Sequence, residues 1–199
     1  MIKINCDLLP LYISLLKQKA YCNIDNIVYS KNDTKFPNIN SNFDIIIDKL
    51  REENELVRYN FDENLKNDQE KIRYFLKQKC KIYIALHKNQ VAGRYVLTNI
   101  SNFKPYKYLN EEIFSKCTYY IFFCKTYYPY EGNNIFKRLL IEICQDTKKN
   151  SEKIFISCSA KNIASQRAIL GAGFQEIGVL KYNSVFNLFK EGMHLGSWP

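Results

Sequence analysis

The run Thr126-Tyr-Tyr-Pro-Tyr-Glu-Gly132-Asn-Asn134, leading into Ile135, carries the residues of this chain best suited to chemistry. A tight turn between a strand and a helix start leaves several backbone N–H groups unpaired at the positive end of the helix dipole, which is an anion site. Gly132, Asn133 and Asn134 are the residue types that tolerate the left-handed backbone such a nest requires. Strand–glycine–helix turns also serve as plain connectors, so both readings stand until the surrounding elements are placed.

Other chemistries find less support. The seven cysteines (Cys6, Cys22, Cys80, Cys117, Cys124, Cys144, Cys158) are scattered and never form a Cys-x-x-Cys pair, and there are two histidines, His87 and His194. Neither a zinc site nor a disulfide framework is expected from that spacing, and most of these thiols read as small buried hydrophobes. His87 closes an apolar run and reads as a strand-end surface residue. A net charge of +9 favours an anionic partner such as a nucleotide cofactor, a phosphorylated substrate or nucleic acid. The positive residues are spread along the chain without a dense block, so a nucleic-acid reading rests on net charge alone.

The elements that would position the turn begin at Asn64. Leu65 to Lys79 is an amphipathic helix, with Leu65, Ile72, Phe75 and Leu76 on one side. Residues 81–87 and 91–98 read as a hairpin about Lys88-Asn89-Gln90. Residues 118–127, rich in aromatic and β-branched side chains, form the strand before the turn. Ile135, Phe136, Leu139, Leu140, Ile143 and Cys144 then recur at helical period, to about Lys149. Residues 153–158 are a short buried strand, Asn162 to Leu170 a helix ended by Gly171-Ala-Gly173, and 174–180 and 185–189 two closing strands. This order implies a mixed sheet covered by helices. Residues 1–64 are read as an N-terminal helical and loop segment packed on the 65–199 domain, with a helix over Leu8–Tyr21, a loop over Tyr29–Asn42 and an apolar stretch over Phe43–Leu50. A 199-residue chain, 46% hydrophobic with 13 Phe and 15 Tyr, can build one real core. No apolar run reaches the roughly 18 residues of a membrane span, and the start shows no secretory signal, so a cytoplasmic protein is expected.

Downstream of the turn, Asn162-Ile-Ala-Ser165-Gln-Arg167-Ala-Ile169-Leu-Gly-Ala-Gly173-Phe174 resembles the last signature block of the GNAT acetyltransferase superfamily, N-x-x-[AS]-x-R-x-Y-x-x-x-G-F. The turn and its helix lie the right distance upstream, and the resemblance covers about residues 80 to 180. It implies an α/β (α+β) GNAT fold: a mixed, mostly antiparallel sheet flanked by helices, with splayed central strands. It also implies acetyl-CoA, or another acyl-CoA, as donor. The diphosphate would lie on the backbone of Gly132, Asn133, Asn134, Ile135 and Phe136, and the pantetheine arm along the strand end near Thr126 and Tyr128. Asn162, with Ser165 beside it, would contact the cofactor. A peptide-like arm added to a free strand edge makes physical sense, and a strand N–H can polarise the thioester carbonyl.

Departures from the pattern are specific. Glu131 stands at the usual Arg position and would repel phosphate unless turned outward; Asn134 replaces the middle glycine; Phe136, in place of a small residue, could crowd the diphosphate. The family Tyr that protonates the leaving thiolate falls at Ile169. Tyr128 and Tyr130, carried on the loop, are the candidates for catalysis and the acceptor pocket; Tyr119, Tyr120 and Tyr127 could also line that pocket, with strand packing an equal reading for Tyr119 and Tyr120. Glu53, Glu55, Glu111 and Glu112 read as surface residues. The C-terminal pattern also resembles the amino-sugar-nucleotide N-acetyltransferase branch, with Tyr182 to Phe189 as its closing segment. Transfer to a primary amine is implied, on a small molecule or nucleotide-linked sugar, with a protein or aminoacyl-tRNA acceptor and a homodimer left open. The alternative is a catalytically inactive binding or regulatory module of the same fold.

Overall fold

The computed structural model describes residues 21–31, 37, 39, 43–59, 61, 65–105, 119–147, 153–185 and 188–190. The strands are β1 (Tyr21–Lys31), β2 (Ile46–Leu50), β3 (Lys81–His87), β4 (Gln90–Asn99), β5 (Tyr119–Thr126), β6 (Ile154–Ser159), β7 (Gln175–Val185) and β8 (Leu188–Lys190). The helices are α1 (Lys66–Lys77), α2 (Ile135–Thr147) and α3 (Ile163–Gly171), with a 3-10 helix over Glu53–Arg58. All eight strands join one sheet in the order β2-β3-β4-β5-β6-β1-β7-β8. The β5–β6 pair is parallel and the other pairs are antiparallel. This is the expected mixed, mostly antiparallel sheet flanked by helices.

Strand alternation builds a core on each face. Ile82 and Ile84 of β3 point to the side covered by α1, where they join Leu50, Leu56, Ile72, Val96 and Phe122. Tyr83 and Ala85 point to the other side, with Tyr95, Leu97, Ile121, Leu139, Leu140 and Ile169 under α2 and α3. Leu139 and Leu140 are fully buried, and each such side chain contributes roughly 1.5–3 kcal/mol. The hairpin turns at Lys88 and Asn89, both with positive φ (48° and 64°), the backbone a two-residue loop needs to match the strand twist.

Three expectations need correction. The loop expected over Tyr29–Asn42 is strand as far as Lys31, and the apolar stretch at Phe43–Leu50 ends in β2, so the described part of the first 64 residues supplies two strands of the same sheet. β1 lies between β6 and β7, pairing Lys31 with Ile154 on one side and Tyr21 with Val185 on the other. Asn23, Asp25, Asn26 and Ser30 broke up the apolar pattern that marks a strand; backbone pairing on both edges and the burial of Val28 and Tyr29, one in each core, hold it in place. The two closing strands expected at 174–180 and 185–189 are both present with other bounds: the first runs on to Val185, because β1 pairs along nearly all of it, and the second is the short Leu188–Lys190. The helix expected over Leu8–Tyr21, apart from Tyr21 itself, lies outside the described residues, as do Glu111 and Glu112. Among the described residues, no helix is long and apolar enough to cross a membrane.

Candidate active site

β5 and β6 start as a pair and then part. Their ladder runs from Tyr119↔Ile154 to Ile121↔Ile156 and stops, although β5 continues to Thr126 and β6 to Ser159. The parting coincides with a bulge in β5. Arg94 of β4 faces Lys125 and Val96 faces Phe122, so two residues, Phe123 and Cys124, stand opposite Tyr95. Phe123 has φ 51°, an unusual backbone for a residue with a large side chain. The expected splay of the central strands is therefore present, and it begins beside the bulge.

Beyond Thr126 the chain turns through Tyr127–Asn134 into α2. Gly132 (φ 78°) and Asn134 (φ 59°) take left-handed backbone, as the turn requires. The amide of Arg138 donates to the carbonyl of Asn134 at 2.9 Å, closing the first turn of α2 and leaving the amides before Arg138 without partners inside the helix. Asn133 braces the loop from within, its Nδ2 donating to the carbonyls of Glu131 (2.8 Å) and Tyr130 (3.3 Å). Across the gap, Asn162 caps α3 by accepting from the Ser165 amide at 3.0 Å. At the end of α3 the Lys137 side chain passes close to Gly171, where an added Cβ would meet its Cε at 2.9 Å.

Together these elements enclose a cleft of about 570 Å³. Of the residues expected to hold a cofactor, Thr126, Gly132, Asn134, Ile135, Phe136, Asn162 and Ser165 line it. Tyr128 and Asn133 do not: Tyr128 is 89% exposed, and Asn133 is spent on the loop. Tyr130 lines the cleft and is buried, with its hydroxyl donating to Oε1 of Gln90 at 3.1 Å. Phe136 does not turn into the loop. It stacks on Tyr95 with ring centroids 5.4 Å apart and planes within 18°. Glu131 is exposed at the cleft rim.

The residues that sequence reasoning missed are cations and buried hydroxyls. Lys125 and Lys137 line the cleft beside Arg167 of the signature block; in the sequence they are two of 29 dispersed positive residues, and only the fold gathers them. Tyr95 lines the same cleft and shares a 2.7 Å hydrogen bond with Oγ1 of Thr126. Burial raises its phenol well above the ordinary range, so it stays protonated. Cys124 is also in the lining, and burial pushes its thiol up to about 12, which argues against a thiolate nucleophile there.

The remaining candidates have structural roles. Ile169 is fully buried in the core, so the position of the family Tyr faces away from the cleft. Tyr120 and Tyr127 are buried on the α1 face, the former hydrogen-bonded to Oγ of Ser157 at 2.5 Å. Glu53 pairs with Arg73 (2.9 Å) and Lys77 (3.6 Å), and Glu55 accepts from the amides of Arg51 and Glu52. His87 is half-buried against Phe43, its Nδ1 3.1 Å from the carbonyl of Asp44. Among the described residues, no group of three or more His, Cys, Asp or Glu is placed to hold a metal ion.

No family model matches this chain, and no curated protein does either. Solved structures do. A GNAT-family acetyltransferase from Colwellia psychrerythraea is similar over 96% of this chain and 76% of its own, with a TM-score of 0.56 at 13% identity. A GCN5-related N-acetyltransferase from Sphaerobacter thermophilus is similar over 91% of this chain and 58% of its own, with a TM-score of 0.53 at 14% identity. A functionally unknown conserved protein from Staphylococcus epidermidis is similar over 92% and 67%, with a TM-score of 0.52 at 12% identity. At such identities the likeness establishes the fold: the chain has that of the GNAT acetyltransferases.

Proposed function

We propose that this GNAT-fold chain is an acyl-CoA-dependent N-acyltransferase that moves an acetyl or other acyl group to a primary amine. The observation that carries the reading is the continuity of the cleft. It runs from the left-handed turn at Gly132–Asn134, past the start of α2, to the edge of β5 that β6 has left free. Those are the surfaces an extended anionic ligand with an amide-bearing arm needs. The residues present fit such a donor: backbone amides and a helix N-terminus for a diphosphate, Lys125, Lys137 and Arg167 for its charge, and an unpaired strand edge for its arm. When bound, acyl-CoA supplies an activated thioester.

In this reading Thr126, Gly132, Asn134, Ile135, Phe136, Asn162 and Ser165 hold the donor. Asn162 does so through its Nδ2, because its Oδ1 is committed to capping α3. Asn133 holds the turn in shape. The hydroxyl of Tyr130, a cleft-lining residue bonded to Gln90, is the proposed site of proton passage, and Tyr128 supplies exposed surface to an acceptor. The proposed acceptor is a small amine, nucleotide-linked amino sugars included, in keeping with the net charge of +9. The competing reading, a binding module that has lost catalysis, draws on Ile169, which has no proton to give and lies in the core.

Thermal unfolding separates these readings from a wrong one. Acetyl-CoA at ten times its dissociation constant should add about 1.4 kcal/mol of stability, and Asn162→Ala should shrink that ligand-induced gain. Thiol release in the presence of a panel of amines then distinguishes an enzyme from a binding module. A chain that acetyl-CoA and longer acyl-CoAs leave unshifted has no donor site.

A further inference from the structure

The bulge that opens the cleft is anchored from the opposite face of the sheet. Arg94 is 5% exposed and reaches under β5, where its Nη1 donates to the carbonyl of Phe123 and its guanidinium carbon lies 3.2 Å from the centroid of the Phe123 ring. Its Nε donates to Oδ2 of Asp68, in the first turn of α1, at 3.1 Å. The hydroxyl of Tyr127 donates to that same oxygen at 2.7 Å. Arg94 and Asp68 thus grip the bulge at Phe123, and Tyr127 ties in the strand just past Thr126.

We infer that Arg94 is a positioning residue: with Asp68 and Tyr127 it fixes the bulge at Phe123 and so sets the cleft-lining run Cys124–Thr126 against the arm of an acyl donor. The inference rests on the donor reading of the cleft. A buried ion pair offers little net stability over apolar side chains of the same volume, so stability alone is a poor reason for this one. What it does supply is geometry. One planar group donates in its plane to both a carbonyl and a carboxylate while stacking on a ring, which a lysine ammonium cannot do. The backbone it fixes is left-handed at Phe123 and lies where the β5–β6 ladder ends.

Two ligands that differ only in the arm test this. Dissociation constants for acetyl-CoA and for 3′-phosphoadenosine 5′-diphosphate, which keeps the nucleotide and diphosphate, are measured by calorimetry on the wild type, Arg94→Lys and Tyr127→Phe. Arg94→Lys should weaken acetyl-CoA tenfold or more and the diphosphate no more than twofold. Tyr127→Phe, a milder change that decides the matter should Arg94→Lys not fold, should show the same pattern at about threefold. Equal weakening of both ligands, or unchanged acetyl-CoA binding, overturns the positioning role while leaving the donor site intact. A wild-type chain that binds neither ligand overturns the donor site, and this inference with it.

Discussion

On the face covered by α2 and α3, the sheet ends in an open cleft whose lining includes Lys125, Lys137 and Arg167. On the α1 face, the same strands end beneath packed rings: Phe75 lies 5.0 Å from Phe122, 5.1 Å from Phe123 and 5.8 Å from Phe103. There the polar groups of Arg94, Asp68 and Tyr127 are bonded to one another. β5 serves both sides. Its alternation sends Phe122 to the closed face and Ile121 to the other, and the bulge at Phe123 shifts that alternation just where the strand becomes a cleft wall. The difference suggests a division of labour in which rigidity on one face holds an exposed backbone edge in place on the other.

Breaking the closed face should have the largest effect on stability. Arg94→Ala leaves the partly buried Asp68 carboxylate without its cation, and unfolding in denaturant should show a loss of about 3 kcal/mol, the low end for a buried pair. A loss under 1 kcal/mol would mean that the pair is open to water and the two faces are not distinct.

The open face should respond in the opposite way. Gly132→Ala meets no steric obstacle, since a Cβ there has nothing within 4 Å, but φ 78° is strained for any side chain. Stability should fall by only about 1–2 kcal/mol, whereas acetyl-CoA affinity should fall tenfold or more as the turn relaxes and its amides turn away. Equal affinity in the variant would remove the turn from the donor site.

The smallest effect is one of pH. Burial works against the charge of Asp68, but hydrogen bonds from Arg94 and Tyr127 outweigh it and hold its carboxyl below the ordinary range. Asp146, on the other face, is depressed in the same way: burial opposes its charge, and Tyr83 (2.6 Å) and Lys49 (3.1 Å) overcome that. Because the unfolded chain binds these protons more readily, the stability they contribute is present above the unfolded value of about 3.9 and is lost as pH falls through the folded one. The melting-temperature gap between the wild type and Asp68→Asn should therefore narrow as pH falls from 5 towards 2. A constant gap would show that the grip does not depend on an ionised Asp68.

The open face was largely legible in the sequence, because its signals are local. Gly132 and Asn134 announce left-handed backbone, Leu139, Leu140 and Ile143 repeat at helical period, and Asn162 sits where a cap belongs. The closed face was not. Arg94 looks like an ordinary alternating residue in the run Val91–Thr98, and Asp68 like a solvated helix residue; only the packing of α1 on β4 and β5 brings them together. The bulge falls on Phe123, with no glycine to mark a positive φ. β1 was hidden for a related reason, since its place between β6 and β7 depends on partners more than 120 residues away in sequence.

Backbone amide chemical shifts, followed by NMR as acetyl-CoA is added, bear most directly on the claim that one cleft receives an acyl donor. The account predicts saturable changes concentrated at residues 124–126, 132–137 and 162–165, with the amides around Asp68 moving less. Saturable changes that cluster elsewhere, or none at all as the ligand is raised to millimolar concentration, would contradict it.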